Sequence, residues 1–482
     1  MKLRVLALML VLAALFTGCA KAPAPAITTS APTTEATDVP TEPTVPETEP
    51  VNVEKQVVVY FANWYLETKT AQQGAEVCSI PWDSVTYVNH AFWEVQPADG
   101  TEETSFDRRA AGEAPRTQFR IASTLPKADF EDDTPSEMAQ GLPRNHFAQY
   151  AAYAEQYPDV NILISIGGWT RCGYFSEMAY TPEGRASFVE SCMETLETYP
   201  WLDGFDIDWE YFGGSKDGER LPEDDVDQGC PIWGTVEEDS QNFALLAQAL
   251  REAMDAKYGP GVKKLTACAS ASGGWTLPCQ NWKLVSPYMD LVNVMTYDLA
   301  GLWDKVTGHA SKPQDIRSAI TVMTMGYKVE PEKLCIGSPM YATDFKMTKV
   351  PAGSAVGVPI EPKAPAEGEI DQEMLRAWEA EAVSGYEINW VDGRPELGES
   401  FDKGGTGWHY AYDKIGGPYM YNDDESSPYY LWYLSYENAL SLQDKLDFIR
   451  SQGLAGIIVW ECSEDTMSHD LVHQMAQNLL AD

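Results

Sequence analysis

Residues 203–210 read DGFDIDWE. Asp206, Asp208 and Glu210 fall at every second position, and Phe205, Ile207 and Trp209 fill the positions between and before them. In a β-strand successive side chains point to opposite faces, so this spacing predicts one face of carboxylates and one of apolar groups. A solvated acidic loop has no use for the apolar set. A strand with core on both sides has no use for the acids. The pattern fits a strand that backs onto a core and ends at a pocket. Carboxylates crowded there cannot all ionise near neutral pH, so they titrate as a unit and retain or share a proton. A carboxylic acid still protonated at neutral pH can serve as a general acid.

Such a strand needs a scaffold, and the rest of the chain supplies one. Short apolar runs recur as QVVVYFANW (56–64), SVTYVNHAFW (84–93), NILISIGGW (161–169), LDGFDIDWEY (202–211), KLTACASAS (264–272), DLVNVMTYDL (290–299), KLCIGSPMYA (333–342) and GIIVWECSED (456–465). Helical periodicity falls between several of them, at Asp239–Lys257 with Phe243, Leu246, Ala247 and Leu250 on one face, at Thr181–Tyr199 and at Tyr436–Ser451. Near-continuous apolar strands alternating with helices predict a parallel sheet covered on both faces. Eight of them predict an α/β fold, a (β/α)8 barrel, whose catalytic groups sit at the C-terminal strand ends. The acidic face of 203–210 then points into the barrel mouth. Ser165, Met295, Tyr297, Asp298 and Trp460 end neighbouring strands and join it there, with Tyr60, Trp64 and Tyr341 at the ends of the first and seventh.

Two connections exceed ordinary barrel loops. Residues 94–145 are polar with an acidic cluster at Glu131-Asp132-Asp133, and residues 343–435 are rich in Trp and Tyr. The second predicts a small α+β insertion subdomain after strand seven. The expected division is 1–19 as an export signal, 20–54 as a linker, 55–342 with 436–482 as the barrel, and 343–435 as the insertion.

Met1–Arg4 is basic, Val5–Leu15 is apolar but short of the about 20 residues that span a bilayer, and Phe16-Thr17-Gly18-Cys19 follows. This is a secretory signal, and its end resembles a bacterial lipobox with Cys19 as the lipidated residue. Residues 20–53 are Pro, Thr and Glu with few apolar groups, a composition that cannot bury enough surface to order itself. The expectation is a chain tethered outside the bacterial membrane, or secreted, and monomeric. Acidic residues number 73 against 34 basic, for a formal charge of −39. Such a field repels nucleic acid. The nine cysteines show no CxxC pair and the six histidines no ligand spacing, so no metal is expected; free thiols and disulfides are both open. No nucleotide-binding loop is read, and no cofactor is expected.

At this point the chain resembles a known family. DGFDIDWE matches the DxxDxDxE signature of family 18 glycoside hydrolases, the chitinase family. SIGGW, MTYD and VWE resemble its other strand motifs in the same order, YFANW and VTYVNHAFW its first two strands, and GWHYAYDKIGGPYMY its aromatic insertion. The resemblance covers roughly residues 55 to 480. It implies retaining hydrolysis of β-1,4-linked N-acetylglucosamine in chitin or its oligomers, with the substrate's acetamide as nucleophile. By resemblance Glu210 is the general acid, Asp208 orients the acetamide, Asp206 is its buried partner, and Tyr60 and Ser165 steady Asp206. Tyr297 would bond the acetamide carbonyl beside Asp298, and Trp460 would lie beneath the sugar. Where many members carry PFYGR this chain has Ser338-Pro339-Met340-Tyr341-Ala342, without the Arg. The motifs leave open an endo-β-N-acetylglucosaminidase acting on N-glycans, or a cell-wall hydrolase. A non-catalytic glycan-binding protein typically lacks the acid that Glu210 supplies here.

Overall fold

The computed structural model describes residues 54–101, 103–214, 228–273, 276–362, 370–382, 390–391, 394–395, 407–413 and 415–481. The signal, Cys19 and nearly all of the linker lie outside them, as does part of 343–435.

Fifteen strands are present among the described residues. They are β1 (Gln56–Ala62), β2 (Tyr87–Pro97), β3 (Phe119–Ser123), β4 (Asn161–Gly167), β5 (Gly204–Asp208), β6 (Lys264–Ser270), β7 (Leu291–Met295), β8 (Leu334–Pro339), β9 (Thr343–Lys346), β10 (Trp390–Val391), β11 (Arg394–Pro395), β12 (Trp408–Asp413), β13 (Gly417–Asn422), β14 (Trp432–Ser435) and β15 (Gly456–Trp460). Eight of these close a parallel barrel in the order β1, β2, β4, β5, β6, β7, β8, β15 and back to β1. The predicted barrel strands are these eight.

Alternation along each strand divides the core in two. Val57, Val59, Phe61, Ile162, Ile164, Phe205, Ile207 and Val459 point outward into one large apolar cluster under the helices. Val58, Tyr60, Leu163, Cys268, Cys335 and Ile458 fill the interior with Tyr297 and Met295. Burying a large aliphatic or aromatic side chain contributes about 1.5–3 kcal/mol, so a one-residue slip of any strand would forfeit both clusters. Register is therefore set by composition.

The helices begin where caps allow. Val236–Tyr258 starts at Thr235, whose side chain accepts from the Glu238 N–H while Glu238 bonds back to the Thr235 N–H. This capping box explains a start three residues before the apolar periodicity. The stretch 175–198 is two helices, Phe175–Tyr180 and Pro182–Thr198, with Thr181 as the cap of the second. Asn438 likewise starts Ala439–Gln452 later than the periodicity suggests.

Both long connections are built. Residues 94–145 prolong β2, add β3 antiparallel to it, and carry a turn at Lys127–Glu131. The described part of 343–435 holds a four-stranded antiparallel sheet ordered β12-β13-β14-β9 and the helix Gln372–Ala382. Its own core includes Trp378, Trp408, Trp432 and Leu434. The eight cysteines of the described body are free thiols.

Candidate active site

β5 carries the acidic row to the barrel mouth. Asp206 and Asp208 lie on the strand's inner face, and Glu210 follows two residues past its end. Trp209 faces the other way and stacks on Phe175 at 5.3 Å. A hydrogen bond from Trp209 Nε1 to Cys230 Sγ, 3.2 Å, fixes its edge. The turn is clasped by Cys172, which accepts from the Glu210 N–H at 3.2 Å and donates to the Asp208 carbonyl at 3.3 Å. The side of β4 must be close for this to happen. A Cβ at Gly167, where φ is +115°, would lie 2.2 Å from the Asp208 carbonyl oxygen, so only glycine fits there. The peptide bonds Ala91–Phe92, Glu210–Tyr211 and Trp460–Glu461 are cis.

Asp206 is wholly enclosed and well supplied with donors. Its Oδ2 accepts from Tyr60 at 2.9 Å, Ser165 at 2.8 Å and the Cys268 thiol at 3.6 Å. Its Oδ1 accepts from Thr266 and, at 3.3 Å, from Asn293 Nδ2. Burial pushes its carboxyl up, and the hydrogen bonds from Thr266, Ser165, Tyr60 and Cys268 oppose that. Asp208 is held differently. Burial, then the charges of Glu210 and Asp206, push it well above the ordinary carboxylate range, with only the Cys268 thiol opposing. Its Oδ1 is buried without a hydrogen-bond partner. Of the two aspartates Asp208 is the one that holds a proton more readily, because the donors around Asp206 favour its anion and Asp208 has few. Glu210 is 7% exposed, at the rim.

The other predicted residues converge on the same mouth. Tyr297 is buried, and burial followed by the charges of Cys268, Asp208 and Glu210 keeps its phenol protonated. Met295 packs in the same interior cluster. Asp298 adopts a left-handed φ of 52° and accepts from the Tyr341 hydroxyl at 2.7 Å. The surrounding wall raises its carboxyl, with Tyr341 opposing; it keeps accessible surface and so is held less firmly than Asp208. Trp460 forms an aromatic floor with Phe92, stacked at 5.5 Å and 21°, and Tyr60, tilted at 5.6 Å. Trp64 leans on both Trp460 and Phe92 and is 37% exposed. A groove of about 330 Å³ between the helices Pro313–Thr321 and Ala439–Gln452 lies outside this mouth and holds none of these groups.

Four participants were missed in the sequence. Asn293 and Thr266 are polar residues at inward positions of apolar strands, a signal legible only once the face is known. Tyr211 is hydrogen-bonded to Glu210, and burial and that contact raise its phenol. Phe92 was read only as part of a strand.

A closed barrel with a buried carboxylate row and an aromatic floor at its C-terminal mouth defines, by class, a barrel glycoside hydrolase. The sequence pattern of Glycosyl hydrolases family 18 matches residues 56–465, and the chain belongs to that family. It is 27% identical over 466 residues to Chitinase ChiA of Flavobacterium johnsoniae, an alignment covering 86% of this chain and 27% of that protein. It is 27% identical over 430 residues to Chitinase C of Streptomyces lividans, covering 85% and 57% respectively. The chain thus spans well under two thirds of these relatives. The Group IV chitinase of Ostrinia furnacalis superposes with a TM-score of 0.65 at 22% identity, over 89% of this chain and all of that one, which shows a shared fold.

Proposed function

We propose that the chain hydrolyses β-1,4-linked N-acetylglucosamine in chitin and chitooligosaccharides, with retention and without an enzyme nucleophile. The observation that carries this reading is the contrast within one strand: Asp206 ringed by donors, Asp208 with a buried Oδ1 that has none, and Glu210 at the rim. Glu210, handed the row's retained proton by Asp208, passes it to the glycosidic oxygen as the bond to the anomeric carbon breaks. The acetamide oxygen of the same sugar attacks that carbon and forms an oxazolinium ion. Asp208, ionic once its proton has gone to Glu210, accepts the acetamide N–H and offsets the positive charge developing on it. The Tyr297 hydroxyl bonds the acetamide oxygen, and Trp460 carries the apolar face of the ring. Water then attacks, Glu210 takes its proton, and the starting configuration returns. The named relatives, chitinases all, support the substrate class.

The test is chitopentaose hydrolysis by wild type and Glu210→Gln. Loss of a general acid costs about 10²–10⁴-fold in kcat, with the thermal midpoint unchanged. Equal rates would remove Glu210 from the mechanism. Cleavage of a mannose-rich glycopeptide in preference to chitopentaose would move the substrate class.

A further inference from the structure

Outside the barrel wall, three side chains with no part in the hydrolysis converge on one point. His90 is on the outer side of β2. Asp129 comes from the turn Lys127–Glu131, and His146 opens the helix His146–Gln156. They are 1%, 0% and 0% exposed. His90 Nε2 lies 3.0 Å and His146 Nδ1 3.1 Å from the same atom, Asp129 Oδ1. The three ligating atoms all lie within 4.8 Å of one another, and no other such cluster occurs among the described residues.

The protons there do not balance for a neutral His146. His146 Nε2 lies 3.2 Å from the Ala75 carbonyl, which can only accept, so that nitrogen bears hydrogen. A neutral His146 then turns a bare Nδ1 lone pair on a carboxylate oxygen. His90 Nε2, beside the same oxygen, is buried and finds no partner in hydrogen-bonding geometry. The bare His146 nitrogen and the anionic oxygen facing one point call for a cation between them. A second proton on His146 is one candidate, and a metal ion is the other.

The outer contacts favour a metal. Each imidazole turns its far nitrogen to a fixed oxygen: His146 to the Ala75 carbonyl, His90 Nδ1 to the Tyr150 hydroxyl at 3.3 Å. Asp129 Oδ2 accepts from Trp93 Nε1 at 3.2 Å and from Ser123. Partners of this kind orient metal ligands and set their tautomers. We propose that His90, Asp129 and His146 bind a divalent transition-metal ion, zinc(II) in the first instance, at a structural site joining β2, the Lys127–Glu131 turn and the following helix. Imidazole nitrogen with carboxylate oxygen suits zinc(II) and its neighbours. Any proton bridging Nδ1 and Oδ1 leaves as the metal enters. The sequence predicted no metal because the ligands come from three separate elements and show no short spacing.

The experiment compares wild type with Asp129→Asn after incubation with zinc and exhaustive dialysis. Elemental analysis should find about one equivalent in wild type and none in the variant. A chelator should lower the thermal midpoint of wild type alone. Zinc in neither protein, or equally in both, would overturn the site; the second result would point to the half-buried pair His469 and His473, whose rings are 6.5 Å apart. Should Asp129→Asn fail to fold, the cobalt(II)-loaded wild type decides. Paramagnetic shifts on the His90 and His146 imidazoles support the site. Shifts confined to other histidines, or no cobalt uptake, overturn it.

Discussion

At the residue scale, function and stability pull in opposite directions on Asp208. Burial and two neighbouring acids raise its folded-state carboxyl well above its unfolded value of about 3.9. The folded state therefore binds more protons than the unfolded state above that pH. By linkage, the group's contribution is fully present below the unfolded value and is lost as pH rises toward the folded one. Asp208→Asn, which cannot ionise, should escape that loss. We expect the variant to melt higher than wild type at neutral pH, with the difference vanishing near pH 4, roughly the unfolded carboxylate value. Thermal unfolding across that range checks it; a variant less stable at pH 7 would show that Asp208 is ionised and paired. Hydrolysis by the variant should be nearly abolished.

At the scale of elements, the barrel was legible because each strand is an apolar run that must be covered on both faces. The acidic row was legible because period-two alternation survives inside β5. Other features were not legible, for physical reasons. Glu210 lies beyond the strand's end, where the Cys172 clasp rather than the pleat aims it. The donor Thr266 is the register partner of Asp206 on the adjacent β6, and Asn293 reaches it from β7 one strand further on, relations that need strand order and register. Helix starts were displaced by caps that outweigh hydrophobic period, as at Thr235. Strand packing also makes a prediction. A Cβ at Gly337 on β8 would lie 2.6 Å from the Tyr297 ring. Gly337→Ala should therefore shift that ring, at an overpacking cost of about 1–3 kcal/mol. Misplacement by an ångström can cost on the order of 10²-fold in rate, so kcat should fall while the chain stays folded. Unchanged kcat would show that Tyr297 is not positioned by this contact.

At the scale of the whole molecule, the acidic balance bears on which sugars arrive fastest. A chain of formal charge −39 attracts cations and is indifferent to neutral oligomers. Partially deacetylated chitooligosaccharides carry ammonium groups. Their kcat/KM should drop as salt rises from about 0.01 to 1 M, where the screening length contracts from about 30 to 3 Å. Fully acetylated oligomers should show little dependence. Equal slopes for both would mean that the surface field does not steer substrate. The length of residues 343–435 led to the expectation of a small α+β subdomain, and among the described residues of that stretch Trp378, Trp408 and Trp432 share an apolar core.

The central claim is that the sugar's own acetamide attacks the anomeric carbon above Asp208. Its most direct test is kcat/KM for aryl chitobiosides whose reacting acetyl group carries successively more fluorine. Each fluorine weakens the carbonyl oxygen as a nucleophile while leaving the leaving group untouched. A steep decline along the series is predicted; a flat series would contradict the account.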